Sequence, residues 1–371
     1  MVVPLAGRVI AAVIGGLLVY TAARSVIGTV IVPRPVGSWL TRWVDKVVAF
    51  CYGVASKKIR DHRRRDRVLA GQAATILLLQ LVAWLAIFYI GFSLLQWPFV
   101  SRGITSAFDI ASPAVFGPND ALGAAQRTIA DLAAIAALVT VSLQIAYLPT
   151  LYAAFNRRET EVTLLNGRAG VPSWGPELLA RTHYALGSGV STIDTLPDLY
   201  DRWERWAADV AESHTTYLPL VRFRSPKPMS SWVTALLAVL DSAALILALS
   251  PKNAPVVPAR QCLRGGFLCF GDVARAMGID IPAEPDPSAG ISLSYEEFLD
   301  AVARMDKVKF PMEREPEDAW PDFVGWRVNY EQAAYALAYA LDVTHALWSG
   351  PRRTPRPFIP PIRPPEGKPP K

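Results

Sequence analysis

Apolar residues are distributed unevenly along this chain. Three long runs, 9–32, 69–99 and 129–152, hold almost no charge, and all lie in the first 155 residues. A bilayer core of about 30 Å takes roughly 20 apolar residues in helical form, so each run is long enough to cross. The first is interrupted only by Arg24. The second ends at Trp97-Pro98, with a surplus that tilt or an interfacial end absorbs. The third carries Asp131 near one end. Charges are costly against lipid, so Arg24 is expected to snorkel to the headgroups and Asp131 to sit at the outer boundary, with a conduction role as the alternative. Between the second and third runs, 101–124 is too polar to cross and too short to be a domain. The pattern predicts a span, a re-entrant hairpin and a second span, with 9–32 as an additional one. An ordinary extracellular loop between two spans is the alternative.

Beyond residue 160 the pattern turns helical, punctuated by proline and glycine. Leu199, Trp203, Trp206 and Val210 recur at helical spacing over 197–217. Ser294-Tyr295-Glu296-Glu297 reads as a capping box, and 331–347 is rich in alanine and leucine. The stretch 232–249 is apolar enough to be a fourth span, but Asp241 sits in its middle. A bilayer penalises such a charge by about 2.5–3.5 kcal/mol, so a buried core helix is expected. The Pro-rich, basic end 351–371 is expected to be a disordered tail near acidic lipid or a partner.

The expected fold is an all-α membrane protein: three transmembrane helices with a re-entrant P-loop-like hairpin, followed by an α-helical cytoplasmic domain. Its divisions fall at 1–67, 68–156, 157–350 and 351–371. Composition fits this division. The 371 residues are 51% hydrophobic with a mean hydropathy of +0.24, too apolar for an ordinary two-domain soluble chain. The net charge of +6 is concentrated where it speaks to topology. Residues 33–67 hold ten Lys and Arg against Asp45, Asp61 and Asp66, and short basic loops stay in the cytoplasm. The N-terminus is therefore expected outside, the hairpin outside and the C-terminal domain inside a bacterial inner membrane. The same loop argues against a cleaved signal peptide at 9–32, which would export it.

Chemistry is sparse. Cys51, Cys262 and Cys269 lack metal-ligand spacing and are expected as reduced thiols. His62, His183, His214 and His345 are scattered. Ser213-His214 beside Glu212 could tempt a hydrolase reading, but adjacent residues on a helix are expected to point apart. No phosphate loop or paired-carboxylate site stands out, so no enzymatic activity, cofactor or nucleic-acid partner is expected. Trp203 and Trp206 are expected in a core rather than in a ligand cage.

The hairpin ends in Ser112, Pro113, Ala114, Val115, Phe116 and Gly117, where a filter is expected. Filters that strip an ion's hydration shell with backbone carbonyls need glycine, because alternate residues take conformations closed to side chains. Val115 occupies the glycine position and Pro113 stiffens the strand before it. Tyr147, Leu148, Pro149 and Tyr152 are the inner-gate candidates.

Several strings carry a resemblance. They include Val30-Ile31-Val32-Pro33-Arg34-Pro35, Tyr147-Leu148-Pro149-Thr150-Leu151-Tyr152, Phe223-Arg224-Ser225-Pro226 and Gly325-Trp326-Arg327-Val328-Asn329-Tyr330. With them the chain resembles actinobacterial membrane proteins of the two-transmembrane potassium-channel-like group over most of its length. The pore region of that group looks like a Thr-Leu-Gly-Phe filter, from which Pro113-Ala114-Val115-Phe116 departs at the glycine. The resemblance implies a bilayer-embedded homo-oligomer, a tetramer, acting on monovalent cations. A non-conducting scaffold or sensor that binds a partner through its cytoplasmic domain is the competing expectation.

Overall fold

The computed structural model describes residues 5–32, 39–100, 107–108, 123–184, 192–286 and 288–351, and all regular structure among them is helical. The chain divides into two compact units, one of Met1–Ala55 with Gly71–Ala153 and one of Ser56–Ala70 with Ala154–Lys371. Among the described residues, four helical stretches are long and apolar enough to cross a membrane, which marks a membrane-embedded protein.

The first unit contains α1 (Leu5–Val30), most of α2 (Trp39–Ser56), α4 (Gln72–Gln96) and the first part of α5 (Ala124–Ala169). Helix α1 packs along α4. The approach is set by small residues: a Cβ on Gly15 would lie 2.5 Å from the Gly91 carbonyl oxygen, and one on Gly91 would lie 2.9 Å from Val19 Cγ2. In lipid, where apolar burial does not favour one helix over its neighbour, such close contact holds spans together. The buried Trp84 indole adds a bond to Ser25 Oγ at 2.9 Å. Ala22, Val26, Phe88, Phe92 and Ala133 close the core around it. Arg24 and Asp131 both lie at exposed positions.

The second unit gathers α3 (His62–Leu69), the end of α5, α6 (Gly175–Tyr184), α7 (Leu196–Thr216), α8 (Pro219–Arg222), α9 (Trp232–Leu249), α10 (Val256–Ala276), α11 (Tyr295–Asp306), α12 (Pro316–Arg327) and α13 (Glu331–Ala340). Its centre is α9. In the most apolar windows of Ala6–Val30, His62–Phe99 and Ala124–Ala169 only 28%, 33% and 28% of the residues are buried, against 100% in Trp232–Leu249. Protein covers α9 on every side, with α6, α7, α10, α12 and α13 around it. Gly175 lets α6 approach, since a Cβ there would lie 2.7 Å from Asp241 Cβ.

The Ser294 capping box closes in both directions, with Ser294 Oγ accepting from Glu297 N at 3.2 Å and Glu297 accepting from Ser294 N at 3.1 Å. The helix expected over 331–347 is shorter, ending at Ala340. Asp342 takes a left-handed φ of 49°, and Arg224 donates to the carbonyls of Leu341 and Asp342 at 2.8 and 2.9 Å. A tertiary guanidinium thus caps the carbonyls that further helix would have used. The expected tail falls almost wholly outside the described residues.

Candidate functional site

The site expected from sequence has a filter and a gate. Ser112, Pro113, Ala114, Val115, Phe116 and Gly117 lie outside the described residues, as does most of the expected hairpin. The gate candidates lie on α5, which runs unbroken through Pro149. Proline removes one backbone N–H there and crowds the carbonyl of Ile145, which favours a bend. Tyr147 is buried and Leu148 half-buried, whereas Pro149 and Tyr152 are exposed. These four side chains therefore do not converge within one chain.

Polar groups inside the first unit were not singled out by sequence. Gln80 and Gln96 of α4 and Gln144 of α5 are buried at 2%, 0% and 6% exposure. Each has at least one buried amide atom without a hydrogen-bond partner, and on Gln96 both the nitrogen and the oxygen lack one. Hydroxyls nearby behave differently. Ser93 donates to Tyr89 O and Thr140 to Ala136 O, both at 2.7 Å, so they are satisfied within their own helices. Amides are too long for that, and an unsatisfied one in hydrocarbon costs several kcal/mol. Glutamines inside otherwise apolar runs were the available signal.

In the second unit, the end of α5 is fixed by Arg158, which is fully buried. Its Nε donates to Glu159 at 2.9 Å, its Nη1 to Leu220 O at 2.9 Å and its Nη2 to Phe223 O at 2.7 Å. Nη1 also lies 2.9 Å from His214 Nε2. Arginine has no acceptor, so Nε2 accepts and the ring proton sits on Nδ1. That proton faces Ser213 Oγ at 2.9 Å, and the Ser213 hydroxyl donates to Asp209 O at 2.6 Å. Burial, reinforced by the Arg158 charge, holds His214 well below the usual imidazole range.

This arrangement corrects the expectation that Ser213 and His214 point apart. They touch because the imidazole folds back along α7. The polarity runs from histidine to serine to carbonyl, however, the reverse of a serine activated by a histidine base. Trp203 and Trp206 are both core residues, and the Trp206 indole donates to Arg158 O at 3.1 Å.

Asp241 is matched inside the same unit. It accepts from Arg327 and, at 2.8 Å, from Tyr330. Arg327 also donates to Glu331 at 2.6 Å, to the Tyr335 hydroxyl at 2.9 Å and to Trp348 O at 2.7 Å. Burial pushes the Asp241 carboxyl up to about 6 against the pull of Arg327 and Tyr330.

A third cluster joins α3 to the far end of the chain. Arg65 pairs with Asp342 and Arg224 with Asp66. Thr344 donates to Pro228 O at 2.9 Å and accepts from His62 Nε2 at 2.7 Å. Burial and Arg224 together lower the His62 pKa. On the other side of α3, Arg63, Arg64 and Arg67 are exposed.

Among the described residues no group of three His, Cys, Asp or Glu could hold a metal ion. Cys262 and Cys269 are buried free thiols, and Cys51 is an exposed one. Comparison with protein-family models, curated proteins and solved structures returns no match.

Proposed function

We propose that this chain is an ion-channel-like protein of three spans, α1, α4 and the first part of α5, that passes monovalent cations through an altered potassium-type filter at Ser112–Gly117. The observation that carries the reading is the set of buried amide atoms without a partner, Gln80 Nε2, Gln144 Oε1 and both on Gln96. Within a bilayer such groups find water or polar groups from another copy, and both fit an oligomer, a tetramer, around an aqueous path. Topology adds support. Ser56–Ala70 and Ala154–Lys371 belong to one unit, which supports a pair of crossings, α4 and α5, that returns the chain to the side it left. The basic loop makes that side the cytoplasm of a bacterial inner membrane. Helix α9 is a core helix of the cytoplasmic unit, and no enzymatic activity is assigned. The unit biases a gate at Tyr147–Tyr152 through α5, whose continuation is clamped at Arg158.

A second reading, a non-conducting scaffold or sensor, is favoured by Val115 at the glycine position of the filter. Potassium and sodium flux into liposomes holding the purified protein separates the two. Flux well above empty liposomes, reduced at least tenfold by Gln80→Leu with Gln144→Leu, is expected for the channel. Val115→Gly is then expected to favour potassium. No flux from folded, oligomeric protein overturns conduction and leaves the scaffold.

A further inference from the structure

Helix α2 lies inside what the sequence presents as one basic loop, and among the described residues one of its faces has no cover. At 100° per residue its apolar side chains fall in an arc of about 180°, and its polar ones fill the rest. One flank of the apolar arc is held by the first unit. Val44 and Val48 pack against Ile76 of α4, and Tyr52 shares a 2.7 Å hydrogen bond with Thr75. The other flank is a stripe of Trp39, Trp43, Phe50 and Val54, exposed at 72%, 54%, 72% and 57%. Arg42 and Lys46, both exposed, stand on the polar side beside it.

We infer that α2 is an interfacial helix whose Trp39–Val54 stripe is sunk in the headgroup–acyl boundary of the bilayer, with Arg42 and Lys46 at lipid phosphates. Three features select lipid as the occupant. The stripe leads with two tryptophans, the residue that settles at membrane interfaces. The cations flank it where long side chains reach anionic headgroups from an apolar anchor. The helix is docked on α4, whose own outer face is apolar and exposed at Leu78 and Val82. The inference rests on α4 being a span, and its test keeps the two claims apart.

Cys262 and Cys269 are fully buried, so a Cys51→Ser chain accepts a spin label only at an introduced cysteine. Labels at Ala49→Cys, Phe50→Cys and Val82→Cys are read in phosphatidylethanolamine–phosphatidylglycerol nanodiscs with oxygen and a water-soluble nickel chelate. The ratio of oxygen to nickel accessibility is expected to be several-fold higher at 50 than at 49, and high at 82. Equal nickel access at 49 and 50 with 82 still shielded overturns the inference and leaves the span intact. A label at 50 closed to both reagents means a second copy covers the stripe, and also overturns it. Nickel access at 82 overturns both. Trp43→Cys reads the same face as 50 and repeats the result independently.

Discussion

Arg158 and Arg327 are both wholly buried guanidiniums, and neither partner set was legible in sequence. Local spacing made the Ser294 box visible, because donor and acceptor stand three residues apart. Nothing local ties Asp241 to Arg327, yet that pair explains why a carboxylate tolerates the middle of α9. Arg327→Met removes the guanidinium that holds the Asp241 pKa down, so the buried carboxyl must either take up a proton or stay ionised with only Tyr330 beside it, and denaturant titration is expected to show a loss of about 3–5 kcal/mol. Asp241→Leu added to it is expected to recover much of that loss, since a matched apolar pair replaces a matched ionic one. His214 sets a pH dependence. Its folded pKa lies well below the unfolded value of 6.5, so below pH 6.5 the unfolded chain binds a proton that the folded chain does not. Stability is full above that pH and falls by about 1.4 kcal/mol per unit as pH drops beneath it. His62, also lowered, acts with the same sign, whereas Asp241, raised to about 6, takes up its proton in the folded chain first and offsets part of the loss at the low end of the range. Unfolding midpoints from pH 7.5 to 5.5 are expected to decline, and His214→Gln to flatten the decline.

Elements were legible where their pattern was long and uniform. The apolar runs became α1, α4 and α5, and the helical spacing around Trp203 became α7. Helix α2 was hidden because its Arg42 and Lys46 read as loop charge along with the basic residues around it, although its apolar positions already kept helical spacing. Helix α13 was overestimated because Arg224, more than a hundred residues away, claims the carbonyls at its end. Arg224→Ala is expected to lower stability by about 2–4 kcal/mol, since it leaves Asp66 unpaired as well as those carbonyls. The α1–α4 contact is an element-scale device that sequence reading passed over. Gly91→Leu forces side-chain atoms into a space that a Cβ alone overfills. It is expected to cost about 2 kcal/mol or more, read as a lower thermal midpoint in detergent, while a leucine at Gly53, where a Cβ meets nothing within 4 Å, is expected to change little.

At the scale of the molecule, the unexpected feature is that Ser56–Ala70 belongs with Ala154–Lys371. Charge counting placed this segment on one side of the membrane, but it could not show that the segment is a structural part of the C-terminal unit. Cysteines placed at Lys57 and Lys252 are expected to react with an impermeant reagent from the same face of sealed vesicles, and one at Asn119 from the opposite face. Labelling of 57 and 252 from different faces would break the proposed topology. The discontinuity also orders events during synthesis. Asp66 leaves the ribosome 158 residues before Arg224, and Arg65 earlier still relative to Asp342. Helix α3 must therefore wait, its buried charges hydrated, while α4, α5 and most of the C-terminal unit are made. A chain halted before Asp342 already holds the Arg224–Asp66 pair but leaves Arg65 without its carboxylate, so the second half of the clasp on α3 closes more than a hundred residues after the first.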